Sequence, residues 1–197
     1  MMIHEGIPGH HLQFATAAQH SSFIRRFFSA NEHAEGWTTM LEDYMLDVGY
    51  ISDELVDEVR FIAKREMSRL VARVGIDLYF MTGERDYLNV GLDLGFDKDG
   101  YSDDVFDNAA KLLKKATGFT DGRVQAEINW YSSEQSYPLS YLTGNRLVWQ
   151  LKQDIQAANK KDLDALALDQ AFHQVYLESG CMPVESLRTV FEHEGFL

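Results

Sequence analysis

Apolar residues recur at helical spacing along almost thirty residues in the second quarter of the chain, and this run most constrains the fold. The stripe contains Leu55, Val59, Ile62, Met67, Leu70, Val74, Leu78 and Met81. Steps of three to five residues place these side chains on one face of an α-helix. Ser52-Asp53-Glu54 precede the stripe and are typical of a helix start. The sequence therefore predicts one long amphipathic helix.

The rest of the chain shows the same helical character. Further helices are predicted at Leu12–Phe28 with a break near His20-Ser21-Ser22, Ala34–Val48, Asp104–Thr117, Gly122–Ser133, Pro138–Ala158, Leu163–Ser179 and Pro183–Glu194. Gly, Pro, Ser or Asn residues separate them, and no alternating run or Asn-Gly turn indicates a hairpin. We expect an all-α fold, with one multi-helix domain over residues 1–197.

Composition and charge narrow the classes of partner. The 197 residues are 45% apolar, enough for a sizeable core. A net charge of −13 argues against nucleic acid and anionic membranes, which would repel such a chain. No run of 18 apolar residues is present to span a membrane. The single cysteine, Cys181, rules out an internal disulfide.

A dense histidine motif lies near the start of the chain, His4-Glu5-Gly6-Ile7-Pro8-Gly9-His10-His11. Imidazole nitrogens beside a carboxylate are the groups that a hydrolytic zinc site requires. On a straight helix, His4 and His10 would point about 120° apart. Because Pro8 and Gly9 disfavour a regular helix, we expect a kink or local bulge that lets the ligands converge.

Two glutamates that follow the histidine motif lie in the predicted helix Ala34–Val48. Glu35 and Glu42 are seven residues apart, so they share one face of the predicted helix Ala34–Val48. This pair would supply one metal ligand and one second-shell carboxylate.

These motifs, taken in order, resemble a known bacterial family. The blocks are His4-Glu5-x-x-Pro8-Gly9-His10-His11-Leu12-Gln13, Glu35-Gly36-Trp37, Ser140-Tyr141-x-x-Gly144, and Phe172-His173 with Gly180-x-x-Pro183 and Leu187. They are similar to those of domain of unknown function 885, a family regarded as zinc-dependent and peptidase-like. That family is distantly similar to the thimet oligopeptidase and carboxypeptidase Taq clans of gluzincin-type metallopeptidases. The likeness spans residues 4 to about 190, and the chain has two more residues before Gly9-His10 than the H-E-x-G-H motif of those clans.

The resemblance implies roles for individual residues. His4, His10 and Glu35 would bind Zn²⁺, and Glu5 would act as the base in hydrolysis of a peptide substrate. Tyr141, with Tyr137 as the second candidate, would donate to the oxyanion. His11 is either a second-shell hydrogen-bonding partner, like Glu42, or the ligand in place of His10. Of the two histidines, we favour His10 as the ligand.

The resemblance also implies that the chain is the C-terminal part of a longer protein, because family members are several hundred residues long. We expect an exposed apolar surface, covered by upstream residues or by self-association, and the isolated fragment could be inactive. The compartment depends on upstream sequence: the cell envelope if an export signal precedes, otherwise the cytoplasm. A non-peptide zinc hydrolase such as an amidase, and a non-catalytic helical module, stay open as alternatives.

Several polar residues outside the motif have simpler predicted roles. Asp77 lies close to the long apolar stripe and is either a paired buried aspartate, which we favour, or a site group. His173 is expected to hold the C-terminal helices through a hydrogen bond. His20, His33 and His193 are predicted on the surface. Residues 91–104 are expected to form a solvated acidic loop, because the calcium ligand pattern fails at both ends.

Overall fold

A computed structural model of the chain describes residues 2–96 and 100–197. Its helices are α1 (Met2–Glu5), α2 (His10–Ala17), α3 (Phe23–Phe27), α4 (Asn31–Asp47), α5 (Val56–Thr82), α6 (Val105–Thr117), α7 (Asp121–Ser133), α8 (Ser140–Ala158), α9 (Ala165–Glu178) and α10 (Val184–His193), with a 3₁₀ turn at Arg85–Leu88. Within these two ranges, the β-type pairing consists of one isolated bridge between Ser29 and Cys181. The expectation of an all-α fold is confirmed. Part of the predicted acidic loop, residues 97–99, lies outside the described residues.

The predicted long helix is α5, with 27 residues. It ends at Gly83, whose φ of 76° is in the left-handed region that glycine tolerates, and the Gly83 N–H donates to the Tyr79 carbonyl at 2.8 Å. Aspartates cap two later helices: Asp104 accepts from the N–H of Phe106 and Asp164 from that of Ala167. None of the described helices combines the length and the apolarity needed to cross a bilayer.

Chain contacts divide the protein into two compact units. Unit 1 is Met1–Tyr50 with Thr143–Leu197, and unit 2 is Ile51–Leu142. The core of unit 1 includes Trp37, Met40, Leu41, Val148, Leu151, Ile155, Phe172, Tyr176, Leu187 and Phe191. These residues come from α4, α8, α9 and α10, so the core of unit 1 holds together helices that are far apart in the chain.

Two glycines let α4 and α8 cross at close range within unit 1. A Cβ atom on Gly144 would lie 2.1 Å from the Glu32 carbonyl oxygen, and one on Gly36 would lie 2.6 Å from the Gly144 carbonyl carbon. No other side chain fits between these backbones. Because Gly36 follows Glu35, this crossing also fixes the position of the predicted carboxylate ligand.

Unit 2 has its own core, built on the second half of α5. The core residues are Ala72, Ile76, Tyr79, Leu88, Leu94, Ala109, Leu112, Leu113, Val124, Ile128 and Tyr131. Asp77 is fully buried beside them and accepts backbone N–H groups from Ser136 at 3.1 Å and Leu139 at 3.2 Å. Burial raises the pKa of Asp77, although the two N–H donors oppose the shift. Asp77 is therefore a paired buried aspartate that holds the turn before α8.

The prediction that His33 lies on the surface is wrong. Its side chain is 1% exposed, and its ring lies 4.2 Å from that of Tyr176, centroid to centroid. The first turn of α4 packs against α9, a contact between residues more than 140 positions apart that local sequence does not indicate. Burial lowers the pKa of His33 to about 4. His193 is exposed, as expected.

Candidate metal centre

The histidine motif folds as two short helices with a turn between them. α1 ends at Glu5 and α2 begins at His10, and the intervening turn contains a cis peptide bond between Ile7 and Pro8. A Cβ atom on Gly9 would lie 1.9 Å from the His4 carbonyl oxygen. Only glycine permits this approach, which brings the start of α2 against α1. The break is larger than the kink or bulge that we expected at Pro8-Gly9.

Three side chains with metal-binding atoms converge where α1, α2 and α4 meet. Nε2 of His4 lies 3.4 Å from Oε2 of Glu35, and Nε2 of His10 lies 3.5 Å from the same oxygen. One ligand atom from each residue lies within 4.8 Å of the other two. The two imidazole rings meet edge to face, with centroids 5.0 Å apart. The site therefore presents two nitrogens and one carboxylate oxygen to a common point.

Glu42 orients the first histidine from the far side of its ring. Its Oε1 lies 3.1 Å from Nδ1 of His4, which leaves Nε2 facing Glu35. Burial by itself would lower the pKa of His4, but hydrogen bonds with Glu35 and Glu42 outweigh it and raise the pKa to about 9. This pocket therefore favours a positive charge at His4.

Helix α4 fixes the positions of Glu35 and of the turn between the two histidines. Glu35 is 3% exposed, and its carbonyl accepts hydroxyl hydrogen bonds from Thr38 at 3.1 Å and Thr39 at 2.7 Å. The indole N–H of Trp37 donates to the Pro8 carbonyl at 3.0 Å. One helix thus supplies a candidate ligand and also anchors the segment that separates the other two.

The separations from Glu35 to the two histidines can be compared with those of a zinc site. Tetrahedral ligands at about 2.0 to 2.1 Å from Zn²⁺ are separated from one another by about 3.3 to 3.4 Å. The separations of 3.4 and 3.5 Å from Glu35 to the two histidines are close to these values. Two imidazoles and one carboxylate are also the protein ligands of a catalytic zinc site with one position left for water.

The remaining predicted site residues have different surroundings. Glu5 and His11 are exposed, and neither belongs to the group of three. Tyr137 and Tyr141 lie in unit 2, where their rings meet edge to face at 5.8 Å. The guanidinium of Arg73 lies 4.8 Å from the centre of the Tyr141 ring. Their roles toward the metal centre stay predictions.

A family model described as bacterial protein of unknown function, DUF885, matches residues 1–190. The chain belongs to the DUF885 family. Among solved structures, the DUF885 chain is similar to the crystal structure of a "putative lipoprotein" from Colwellia psychrerythraea, with 25% sequence identity and a TM-score of 0.68. The match covers 96% of this chain and 28% of that one, so this chain spans under a third of the length of the solved protein. A search of curated proteins returned no match.

His173, from the last block of the DUF885 motifs, lies in a buried polar cluster of unit 1. Its Nε2 lies 3.0 Å from the Lys152 ammonium, which also pairs with Asp169, and the Tyr44 hydroxyl donates to the same aspartate. Burial, followed by the charge of Lys152, lowers the pKa of His173 to about 4. Neutral His173 therefore accepts from Lys152 and links α9 to α8, so the predicted hydrogen bond is present but joins α9 to the helix before it and not to the last helix.

Sequence reasoning missed the role of Gln13. Its Oε1 lies 3.2 Å from Nδ1 of His10, and the side chain is 1% exposed. The residue was visible in the motif, three positions after His10, and that spacing places the two side chains on one face of α2. A polar side chain on this face, beside a candidate ligand, was the available signal.

Proposed function

We propose that this DUF885 chain holds the metal centre of a zinc-dependent hydrolase, and that the hydrolase is a peptidase. The observation that carries the proposal is the convergence of His4, His10 and Glu35, in which the Glu35 oxygen lies from both histidine nitrogens at separations that suit tetrahedral zinc. The pKa of His4, raised by the two glutamates, adds support, because the same carboxylates that favour a proton there favour a metal cation.

The roles of the residues follow from their chemistry. A bound zinc ion would supply a Lewis acid that makes water nucleophilic near neutral pH. Glu5, exposed and adjacent to His4 in sequence, would take the proton from the attacking water and pass it to the leaving group. Tyr141, with Tyr137 as the second candidate, would donate to the oxyanion that develops on the substrate carbonyl.

The peptide substrate and the compartment are proposed from similarity to other proteins. The motifs resemble those of gluzincin-type peptidases, and the same ligand set would also serve an amidase. The cell envelope is the compartment that we propose, because the similar Colwellia structure is named as a lipoprotein. Peptide and simple amide substrates, assayed side by side, separate the two reactions.

Zinc content of the purified chain tests the proposal. We expect about one zinc per chain after dialysis against metal-free buffer, and loss of that zinc in His4→Ala, His10→Ala and Glu35→Ala. His193→Ala is the control, because it removes an exposed imidazole that has no assigned role at the metal centre and should keep the metal. A wild-type chain without stoichiometric zinc, or equal loss in the control, would reject the proposal.

A further inference from the structure

Gln13 is a buried amide whose two ends both have partners. It lies one turn after His10 in α2, and its side chain is 1% exposed. Oε1 lies 3.2 Å from Nδ1 of His10, and Nε2 donates to the His33 carbonyl at 3.4 Å. A polar side chain this deeply buried is stable only when its hydrogen bonds are made.

The His33 carbonyl fixes which way the amide points. A carbonyl oxygen can only accept, so the amide nitrogen of Gln13 must face it and the amide oxygen must face His10. The same carbonyl also accepts the Tyr176 hydroxyl at 2.8 Å. Because Tyr176 also donates to it, the His33 carbonyl does not depend on Gln13 alone, whereas the oxygen end of Gln13 contacts a candidate metal ligand.

The oxygen of Gln13 sets the protonation pattern of His10. It can only accept, so Nδ1 of His10 must carry the hydrogen and Nε2 keeps its lone pair toward Glu35. Histidine ligands of metals are commonly held in this way by an acceptor behind the ring. Glu42 does the same for His4 with a charged group, whereas Gln13 adds no further negative charge to the site.

We infer that Gln13 is a positioning residue that selects the tautomer and the ring orientation in which His10 binds metal. This inference rests on the proposed zinc site. It predicts that the acceptor oxygen at residue 13, and not the amide nitrogen, supports metal affinity.

Two substitutions separate the ends of the side chain. Gln13→Leu removes both the acceptor and the donor, whereas Gln13→Glu keeps an acceptor oxygen for His10 and removes the donor to His33. Zinc affinity is measured by competition with a chromophoric chelator, and the visible spectrum of the Co²⁺-substituted protein reports the ligand field. Gln19→Leu is the control, because Gln19 is an exposed amide just beyond α2 that donates to the Ala15 carbonyl. Circular dichroism establishes that each variant is folded.

We expect zinc affinity to fall about 10- to 100-fold in Gln13→Leu, with a changed Co²⁺ spectrum, and to recover largely in Gln13→Glu. Unchanged affinity in Gln13→Leu would overturn the inference. Equal losses in the two variants would also overturn it, because the donor to His33 would then be the important end. If the wild type itself bound no zinc, the proposed function would fail, and this inference with it.

Discussion

At the scale of single residues, a substitution of Glu5 tests catalysis separately from metal binding. It directly follows a candidate ligand yet is exposed and outside the group of three. Glu5→Gln keeps the size and hydrogen bonding of the side chain but removes the base. We expect the variant to keep its zinc and to lose hydrolysis by about 10²- to 10⁴-fold, measured on the substrate that the wild type cleaves.

Glu192→Gln provides the control for this substitution, because Glu192 is another exposed glutamate, near the end of α10. Its variant should retain wild-type activity. Should Glu5→Gln lose zinc together with activity, Glu5 would be a ligand and the roles assigned to the motif would have to be redrawn.

The group of three candidate ligands was easier to predict than its surroundings. His4, His10 and Glu35 could be named because the resemblance marks them, and the structure brings their ligand atoms together. His33 was misplaced because its burial depends on Tyr176, far away in the chain. Gln13 received no role because its spacing from His10 places the two side chains on one face of α2 but does not show that they form a hydrogen bond.

At the scale of helices, the crossing of α4 and α8 gives a direct stability prediction. Gly144→Ala places a methyl group 2.1 Å from the Glu32 carbonyl oxygen, so the helices must move apart. We expect a loss of about 2 to 3 kcal/mol in the free energy of unfolding, despite the higher helix propensity of alanine. Urea denaturation followed by circular dichroism measures it.

Gly122→Ala is the matched control, since Gly122 is also helical and a Cβ atom there meets nothing within 4 Å. It should be neutral or stabilising by up to about 1 kcal/mol. If both variants had the same stability as the wild type, the close approach at Gly144 would not exist in solution.

Helices were predictable where a stripe of apolar residues runs through them, as in α5, α6 and α8. The break between α1 and α2 was not, because it depends on Gly9 pressing against the carbonyls of Ile3 and His4. Local sequence signals a disturbance at Pro8-Gly9 but does not say how far the chain departs from a helix. The contact of Gly36 with Gly144 joins residues more than 100 positions apart, which periodicity cannot reveal.

At the scale of the whole molecule, half-buried His173 should make stability depend on pH. It faces Lys152 on α8, Asp169 on its own helix and Tyr44 on α4. Its pKa is about 4 in the folded protein and 6.5 in the unfolded chain, so the unfolded chain binds the proton more readily. The stabilisation is complete above pH 6.5 and is lost as the pH falls toward 4, on the order of 2 kcal/mol.

Urea denaturation at a series of pH values checks this. His173→Gln keeps an acceptor for Lys152 but cannot titrate, so its stability should fall less steeply than that of the wild type between pH 6.5 and 4. His193→Gln removes an exposed histidine and should follow the wild-type curve. Parallel curves for wild type and His173→Gln would show that His173 is protonated equally in both states.

The division into two units was not predictable from the sequence, because no linker-like or repetitive segment separates them. Helix α8 itself begins at Ser140, and the boundary follows Leu142. A boundary inside a helix leaves no compositional mark, and only contacts between distant residues define it.

The proposed hydrolase requires zinc bound between α1, α2 and α4. Anomalous diffraction from a crystal grown with zinc, collected on both sides of the zinc absorption edge, locates the ion directly. We predict one strong anomalous peak about 2.0 to 2.2 Å from Nε2 of His4, Nε2 of His10 and a carboxylate oxygen of Glu35. No peak at that point, or a peak that excludes any of these three residues, would contradict the central claim.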